Sequence, residues 1–122
     1  MNEDVVSIQQ RTKNFAVRVI RAYMQLSKKH FDDAAKVLSK QFLRSGTSIG
    51  ANCAEARFAQ SRADFLSKYS IALKEAYECK YWIEIIVESN IVLESKFTQM
   101  LPELERIIKI LISTTKKLKE NK

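Results

Sequence analysis

The chain has 122 residues, of which 46% are hydrophobic, and it carries a formal net charge of +7 at pH 7. A chain of this size fits one compact domain, so we predict a single domain over residues 1–122. Two glycines, one proline and no Asn-Gly or Asp-Gly pair argue against β-hairpins and favour an all-helical protein. The positive charge favours polyanionic partners such as nucleic acid.

The N-terminus and the hydropathy pattern favour a cytoplasmic protein with no membrane partner. Residues 1–4 are polar or acidic after the initial methionine and lead into no apolar core of the kind that a signal peptide contains. No apolar stretch approaches the ~18 residues that a membrane span requires. Cys53 and Cys79 are expected to be buried thiols, and a disulfide between them is the less favoured alternative.

The first two predicted helices follow from hydrophobic periodicity. The first covers about residues 8–29, with apolar residues at the i, i+3, i+4, i+7 spacing of an amphipathic helix. Asp32 or Asp33 can cap the second helix, which we expect to end between residues 57 and 60. The first apolar stripe comprises Phe15, Val19, Ala22, Tyr23 and Leu26, widened by Ala16, Ile20 and Met24; the second runs from Val37 through Phe42 and Ile49 to Ala56.

The third and fourth helices complete the predicted fold. Ser61 and Asp64 have the spacing of a capping box, and Asn90 suits the end of the third helix. Ser95 can cap the fourth segment, in which Pro102 predicts either a kink or a short helix followed by a restart. Four apolar stripes joined by short connections can be buried together only in an antiparallel up-down-up-down four-helix bundle. We therefore predict an all-α protein with that architecture.

Both glycines lie in one segment of the second helix, residues 44–56. Because glycine costs about 1 kcal/mol relative to alanine inside a helix, Gly46 and Gly50 indicate close approach of another backbone. We expect a motif for helix packing or for contact between subunits. A phosphate site is disfavoured, because amide groups in mid-helix are already bonded and no Gly-Lys-Ser or Gly-Lys-Thr follows. The motif comprises Ser45, Gly46, Ser48, Ile49, Gly50 and Asn52.

Basic residues form the second candidate site. Residues 11–44 carry nine Lys or Arg against two Asp, a net charge of +7. A positive stripe of this kind can follow a phosphate backbone, although a run of charge is often only a solvated face that aids solubility. No recognition-helix motif predicts sequence-specific reading, and RNA and DNA are equally compatible. The predicted nucleic-acid-binding residues are Arg11, Arg18, Arg21, Lys28, Lys36, Lys40 and Arg44.

Residues for catalysis are few. The chain has one histidine, His30, and lacks the paired Glu-x-x-His motifs of a di-iron bundle, so we expect no enzymatic activity, no metal and no cofactor. Aromatic residues at helical spacing in the third helix are expected to pack in the core or in a subunit contact, with base stacking as the alternative. These residues are Tyr69, Tyr77, Tyr81 and Trp82.

Three segments of the chain carry a family resemblance. They are residues 38–56, LSKQFLRSGTSIGANCAEA, residues 61–76, SRADFLSKYSIALKEA, and the triplet Tyr81, Trp82 and Ile83. Together they resemble the four-helix bundle protein family, also called 23S rRNA intervening-sequence proteins. Many relatives have proline in place of Gly50 and glycine in place of Ala56. The resemblance implies a bacterial, cytoplasmic up-down bundle that assembles with copies of itself into a ring, commonly a pentamer.

The family is also similar to the accessory protein of diversity-generating retroelements, a basic pentamer that binds nucleic acid and a reverse transcriptase. That similarity implies a polymerase of this kind as a partner. Together with the basic stripe, it leads us to expect a non-enzymatic, oligomeric bundle that binds RNA or DNA. The alternative is a structural or protein-interaction module with no nucleic-acid role.

Overall fold

The computed structural model describes residues 3–29, 32–91, 97 and 99–120, and it describes side chains in all of these except residues 3–7 and 29. These ranges form four long helices and no strand. Helix α1 spans Glu3–Lys29, α2 spans Asp33–Ala56, α3 spans Arg62–Glu88 and α4 spans Met100–Glu120. The predicted all-α class is confirmed.

Neighbouring helices run antiparallel around a square. Near the start of α1, the side-chain amide of Gln9 donates a hydrogen bond of 2.6 Å to the carbonyl of Cys53 near the end of α2. Farther along α1, Val19 packs against Gly46. Helix α2 also packs on α3, α3 on α4, and α4 returns to α1, so α1 and α3 occupy diagonal corners, as do α2 and α4. The structure is therefore the predicted four-helix bundle.

The predicted caps set the helix boundaries. The carboxylate of Asp32 accepts a hydrogen bond of 2.8 Å from the amide of Ala35, and the hydroxyl of Ser61 accepts one of 3.0 Å from the amide of Asp64. Asn90 adopts a left-handed conformation, with φ of 57°, just after α3 ends. These three boundaries follow from short-range chemistry and agree with the sequence analysis.

The last helix begins afresh before Pro102. Phe97 is helical, Gln99 lies in a turn and α4 starts at Met100, which places Pro102 in the first turn of α4. Proline is tolerated there because amides of the first turn have no carbonyl partner within the helix. Of the two predicted alternatives, the structure agrees with the restart. Ser95, proposed as a cap, and His30 lie outside the described residues.

The core is apolar, and both cysteines lie in it as free thiols. Cys53 lies at the level of Tyr69, whereas Cys79 lies ten residues farther along α3, beside Ser45. At the rise of an α-helix, that offset separates the two thiols by about 15 Å, which is too far for a disulfide. The disulfide alternative is therefore wrong. The large, fully buried core side chains include Phe15, Val19, Phe42, Ile49, Tyr69, Ile83, Ile86, Leu104, Ile107 and Leu111.

Three apolar residues that the sequence analysis assigned to the stripes of the first two helices are exposed. Ile20 and Met24 on α1 retain 43% and 53% of their accessible surface, and Val37 on α2 retains 58%. They lie at the edges of their stripes, so a modest rotation of each helix decides whether they face the core or solvent. The helices were assigned correctly, but the width of their buried faces was overestimated.

Candidate nucleic-acid interface

Gly46 and Gly50 allow α1 and α2 to approach closely within one chain. A Cβ atom on Gly46 would lie 2.7 Å from Cγ2 of Val19, and one on Gly50 would lie 3.1 Å from the carbonyl oxygen of Thr12. Both distances are shorter than ordinary carbon contacts. Any side chain at either position would therefore press on α1, as the helix-packing interpretation requires.

The polar members of this motif are satisfied inside α2. The hydroxyls of Ser45 and Ser48 donate to carbonyls one turn earlier, at 2.9 and 2.6 Å, and the side-chain amide of Asn52 donates to the carbonyl of Ser48 at 2.8 Å. Ser45 and Ile49 are fully buried. The donors are therefore occupied within the helix and are not directed at a phosphate. A contact between subunits through this segment stays a prediction.

The buried titratable groups are held neutral. Burial raises the pKa of Cys53 and of Cys79 to about 12. Burial, followed by the neighbouring Cys53, raises the pKa of Tyr69 to about 12 as well. A thiol is a nucleophile only as the thiolate, so neither cysteine is activated at neutral pH.

Two of the predicted basic residues are neutralised by ion pairs with adjacent helices. Arg18 pairs with Glu103 on α4. Arg44 pairs with Glu75 at 3.2 Å and Glu78 at 2.6 Å, both on α3. The hydrogen bond from Arg44 lowers the pKa of Glu78, against the opposing effect of partial burial. Arg18 and Arg44 thus join helices, and the seven residues do not form one free stripe.

Four of the remaining predicted residues lie on the two adjacent helices α1 and α2, and together we call them the basic patch. They are all exposed, and none of them forms an ion pair with a carboxylate in the described ranges. Arg11 is half-buried and already has an interaction partner. The basic patch consists of Arg21 and Lys28 on α1 with Lys36 and Lys40 on α2.

A pocket of about 180 Å³ lies between α1 and α2, and Lys36 and Lys40 of the basic patch are among its lining residues. No pattern in the sequence predicted it, because a pocket formed by two helices depends on their register. The only sequence signal was the nearness of Lys36 and Lys40 to the start of α2. Its lining residues are Tyr23, Leu26, Ser27, Ala35, Lys36, Ser39 and Lys40.

The aromatic residues of α3 divide between the core and the surface. Tyr69 is buried, and the indole of Trp82 donates to the carboxylate of Glu78 at 3.3 Å. Tyr77 and Tyr81 are 51% and 55% exposed. The packing interpretation is therefore correct for Tyr69 and Trp82, and the two exposed rings are available to a partner.

A second exposed surface on α1 is apolar. Val17, Ile20 and Met24 are between 42% and 53% exposed. Their i, i+3, i+7 spacing places them on one face of α1. We call these three residues the α1 strip.

The described ranges contain neither a metal-binding cluster nor a membrane-spanning helix. In those ranges no three His, Cys, Asp or Glu residues are grouped so that they could hold a metal ion. No helix among the described residues has both the length and the apolar character needed to span a membrane.

Comparison with known proteins identifies the family. The family model for the 23S rRNA-intervening sequence protein matches residues 5–113. A crystal structure of a protein of unknown function from the S23 ribosomal protein family of Bacteroides thetaiotaomicron VPI-5482 superposes with a TM-score of 0.83. The two sequences are 42% identical, and the match covers 93% of this chain and 98% of that chain.

No curated protein matches the chain. The relation to the accessory protein of diversity-generating retroelements is not among these findings and stays a prediction. The family model covers most of the chain, and the similar crystal structure shares both its fold and much of its sequence. This chain therefore belongs to the 23S rRNA-intervening sequence protein family.

Proposed function

We propose that this protein binds nucleic acid through contacts between the basic patch and backbone phosphates. The observation that carries the proposal is the contrast among the predicted basic residues. Arg18 and Arg44 have carboxylate partners, whereas the four residues of the patch are exposed without one in the described ranges. Unpaired cations on adjacent helices attract phosphates and release the counterions condensed on the nucleic acid.

Binding of this kind is expected to depend on salt and only weakly on sequence. Each phosphate contact contributes about 0.9 to the slope of log affinity against log salt on duplex DNA, and about 0.7 on a single strand. Four patch residues would therefore contribute a slope of about 3 to 4 for each unassociated chain. Self-association through Arg21 and Lys28 would leave Lys36 and Lys40 of each copy for phosphates and would place several such pairs in one particle.

The test replaces all four patch residues by glutamine and measures binding of labelled RNA and DNA at increasing salt. Helix α4 offers a matched control of one arginine and three lysines, Arg106, Lys109, Lys116 and Lys117, all exposed. We expect the patch variant to lose most of its affinity and salt dependence, and the control to lose much less. Absence of wild-type binding at low salt, or equal losses in both variants, would overturn the proposal.

A protein-interaction module is the second candidate function, and the α1 strip favours it. Exposed apolar residues on one helix face indicate a surface that a partner covers. Arg21 and Lys28 flank the strip at helical spacing. On the diagonal helix α3, Tyr77, Tyr81, Glu84 and Glu88 share one exposed face.

We infer that the partner on the strip is a second copy of this chain, because the two faces are complementary. One is apolar and basic, and the other is aromatic and acidic. Contact between different faces at diagonal corners is head-to-tail, and such contacts generate a closed ring when the rotation between copies closes. The family resemblance implies five copies. The free thiols of Cys53 and Cys79 suit a reducing compartment such as the cytoplasm.

Light scattering on the purified protein tests this association. We expect an oligomer at micromolar concentration. A monomer would overturn the inference, and an oligomer that binds no nucleic acid would favour the interaction module over the proposed nucleic-acid role.

A further inference from the structure

We propose that the pocket between α1 and α2 takes one unpaired nucleotide of a single strand, with the base inside the pocket and its phosphate at the rim. The proposal rests on the proposed function and specifies it, because it distinguishes single-stranded from duplex ligands. Two features of the pocket carry it: the placement of the two lysines and the chemistry of the surfaces beneath them.

The lysines provide a phosphate site at the rim. Lys36 and Lys40 are one turn apart on α2, which places their Cβ atoms about 5–6 Å from each other on the same face. Both line the pocket, both are exposed, and neither pairs with a carboxylate in the described ranges. Two neighbouring ammonium groups can therefore approach the same phosphate from one side.

The inner surface suits a flat, mostly apolar group. Leu26 and Ala35 are 2% and 1% exposed and form an apolar floor, while Tyr23 contributes an aromatic ring to the lining. Aromatic side chains are the usual platforms for unpaired bases, and stacking on them tolerates any base. Inorganic phosphate alone would leave this surface without a partner.

The serine hydroxyls make the pocket complementary to hydrogen-bond donors. Ser27 donates its proton to the carbonyl of Met24 at 3.0 Å, and Ser39 donates to the carbonyl of Ala35 at 2.6 Å. Each hydroxyl oxygen keeps lone pairs that can accept a hydrogen bond. The amino groups of bases are donors of the required kind.

The size limits what can enter. Pockets that hold a complete small-molecule ligand are typically about 300–1,000 Å³. At about 180 Å³, this one has room for a single group of a larger ligand. A stacked and paired base in a duplex cannot enter it, so a duplex would contact only the lysines at the rim.

The experiment compares the affinities of wild type and Tyr23→Leu at low salt for a labelled single strand and for a duplex of equal length. We expect wild type to prefer the single strand, and Tyr23→Leu to lose about tenfold in single-strand affinity, in line with the usual effect of removing one stacking ring. Duplex affinity is expected to stay within about twofold, since electrostatic contact with phosphates does not depend on the ring.

A second variant, Ser27→Leu, obstructs the exposed edge of the pocket without altering a core residue, and we expect the same selective loss. Thermal unfolding of both variants checks that the bundle is intact. If wild type binds both ligands equally and neither variant changes that binding, the pocket proposal is overturned, whereas the proposal that the basic patch binds phosphates is not. Failure of wild type to bind either ligand would overturn both.

Discussion

Gly46 lies where helices α1 and α2 pack closely against each other. Its backbone conformation is that of an ordinary helix, so the glycine is not required by a turn or by a positive φ angle. What requires it is Val19, whose two methyl groups would lie 2.7 and 2.8 Å from a Cβ atom at this position. Val19 is fully buried and branched at Cβ, and so has little freedom to move away.

Gly46→Ala is therefore expected to destabilise the protein despite the better helix propensity of alanine. Overpacking costs about 1–3 kcal/mol, whereas the gain in propensity is about 1 kcal/mol. We expect a net loss of about 1 kcal/mol in the free energy of unfolding, measured by urea denaturation. In a Val19→Ala background the methyl groups are absent, and the same substitution should become neutral or stabilising.

Ala51→Gly serves as the control, because Ala51 is exposed on the same helix and reports propensity alone. If Gly46→Ala stabilised the wild-type protein by as much as Ala51→Gly destabilises it, close packing against Val19 would not be the reason for the glycine.

Between elements, charged side chains connect helices at the edges of the core. Arg44 extends from α2 to two carboxylates of α3, and Arg18 from α1 to one carboxylate of α4. The Arg44 side chain is 51% exposed, so its ion pairs are screened by solvent. Such pairs typically contribute about 0.2–1 kcal/mol. These ion pairs also determine which of the predicted basic residues lack a carboxylate partner in the described ranges.

The Arg44 ion pairs predict a pH-dependent contribution to stability. Because the pKa of Glu78 is lowered in the folded state, the stabilisation is complete above the ordinary glutamate pKa of about 4.3 and is lost as pH falls through the lowered value. We expect Arg44→Gln to lower the free energy of unfolding by about 0.5 kcal/mol at pH 7, and the difference from wild type to shrink as pH falls below the ordinary glutamate pKa of about 4.3.

Urea denaturation at several pH values measures that difference. Lys40→Gln is the control, since Lys40 lies one turn earlier on α2 without a carboxylate partner in the described ranges. A difference for Arg44→Gln that stays constant from pH 7 to pH 3 would show that Glu78 is not coupled to it.

At the scale of the whole molecule, exposed faces at opposite corners of the bundle point to assembly. The α1 strip is apolar with basic flanks, and the exposed face of α3 is aromatic with acidic residues. Association through both faces would bring Arg21 and Lys28 near Glu84 and Glu88. It would leave Lys36 and Lys40, which line the pocket, open to a ligand.

Replacing Ile20 and Met24 together by serine is expected to reduce the particle mass measured by light scattering, because apolar area is the main source of affinity in the proposed contact. Ile112→Ser is the matched control, since Ile112 on α4 is similarly exposed, at 41%, but lies outside both faces. A drop in mass for the control but not for the double variant would place the contact elsewhere.

The amino-acid sequence by itself determined the four helices and most of their boundaries. The reason is that these features depend on short-range chemistry. Periodic apolar residues define each helix, and Asp32, Ser61 and Asn90 satisfy or terminate the backbone within a few residues. Gly46 and Gly50 also signalled a close approach from sequence alone, although not which helix would supply it.

Only the tertiary structure decided which side chains remain available for function. Arg18 and Lys28 look equivalent in the sequence, yet Arg18 has Glu103 beside it and Lys28 is exposed. Likewise, Leu26 is buried whereas Met24, two residues earlier, faces solvent. The pocket exists only because Tyr23 and Leu26 meet Lys36 and Ser39 across two helices. Each of these outcomes depends on how far a helix rotates about its axis and how it aligns with its neighbours. Those quantities are set by packing of the whole core rather than by any local pattern.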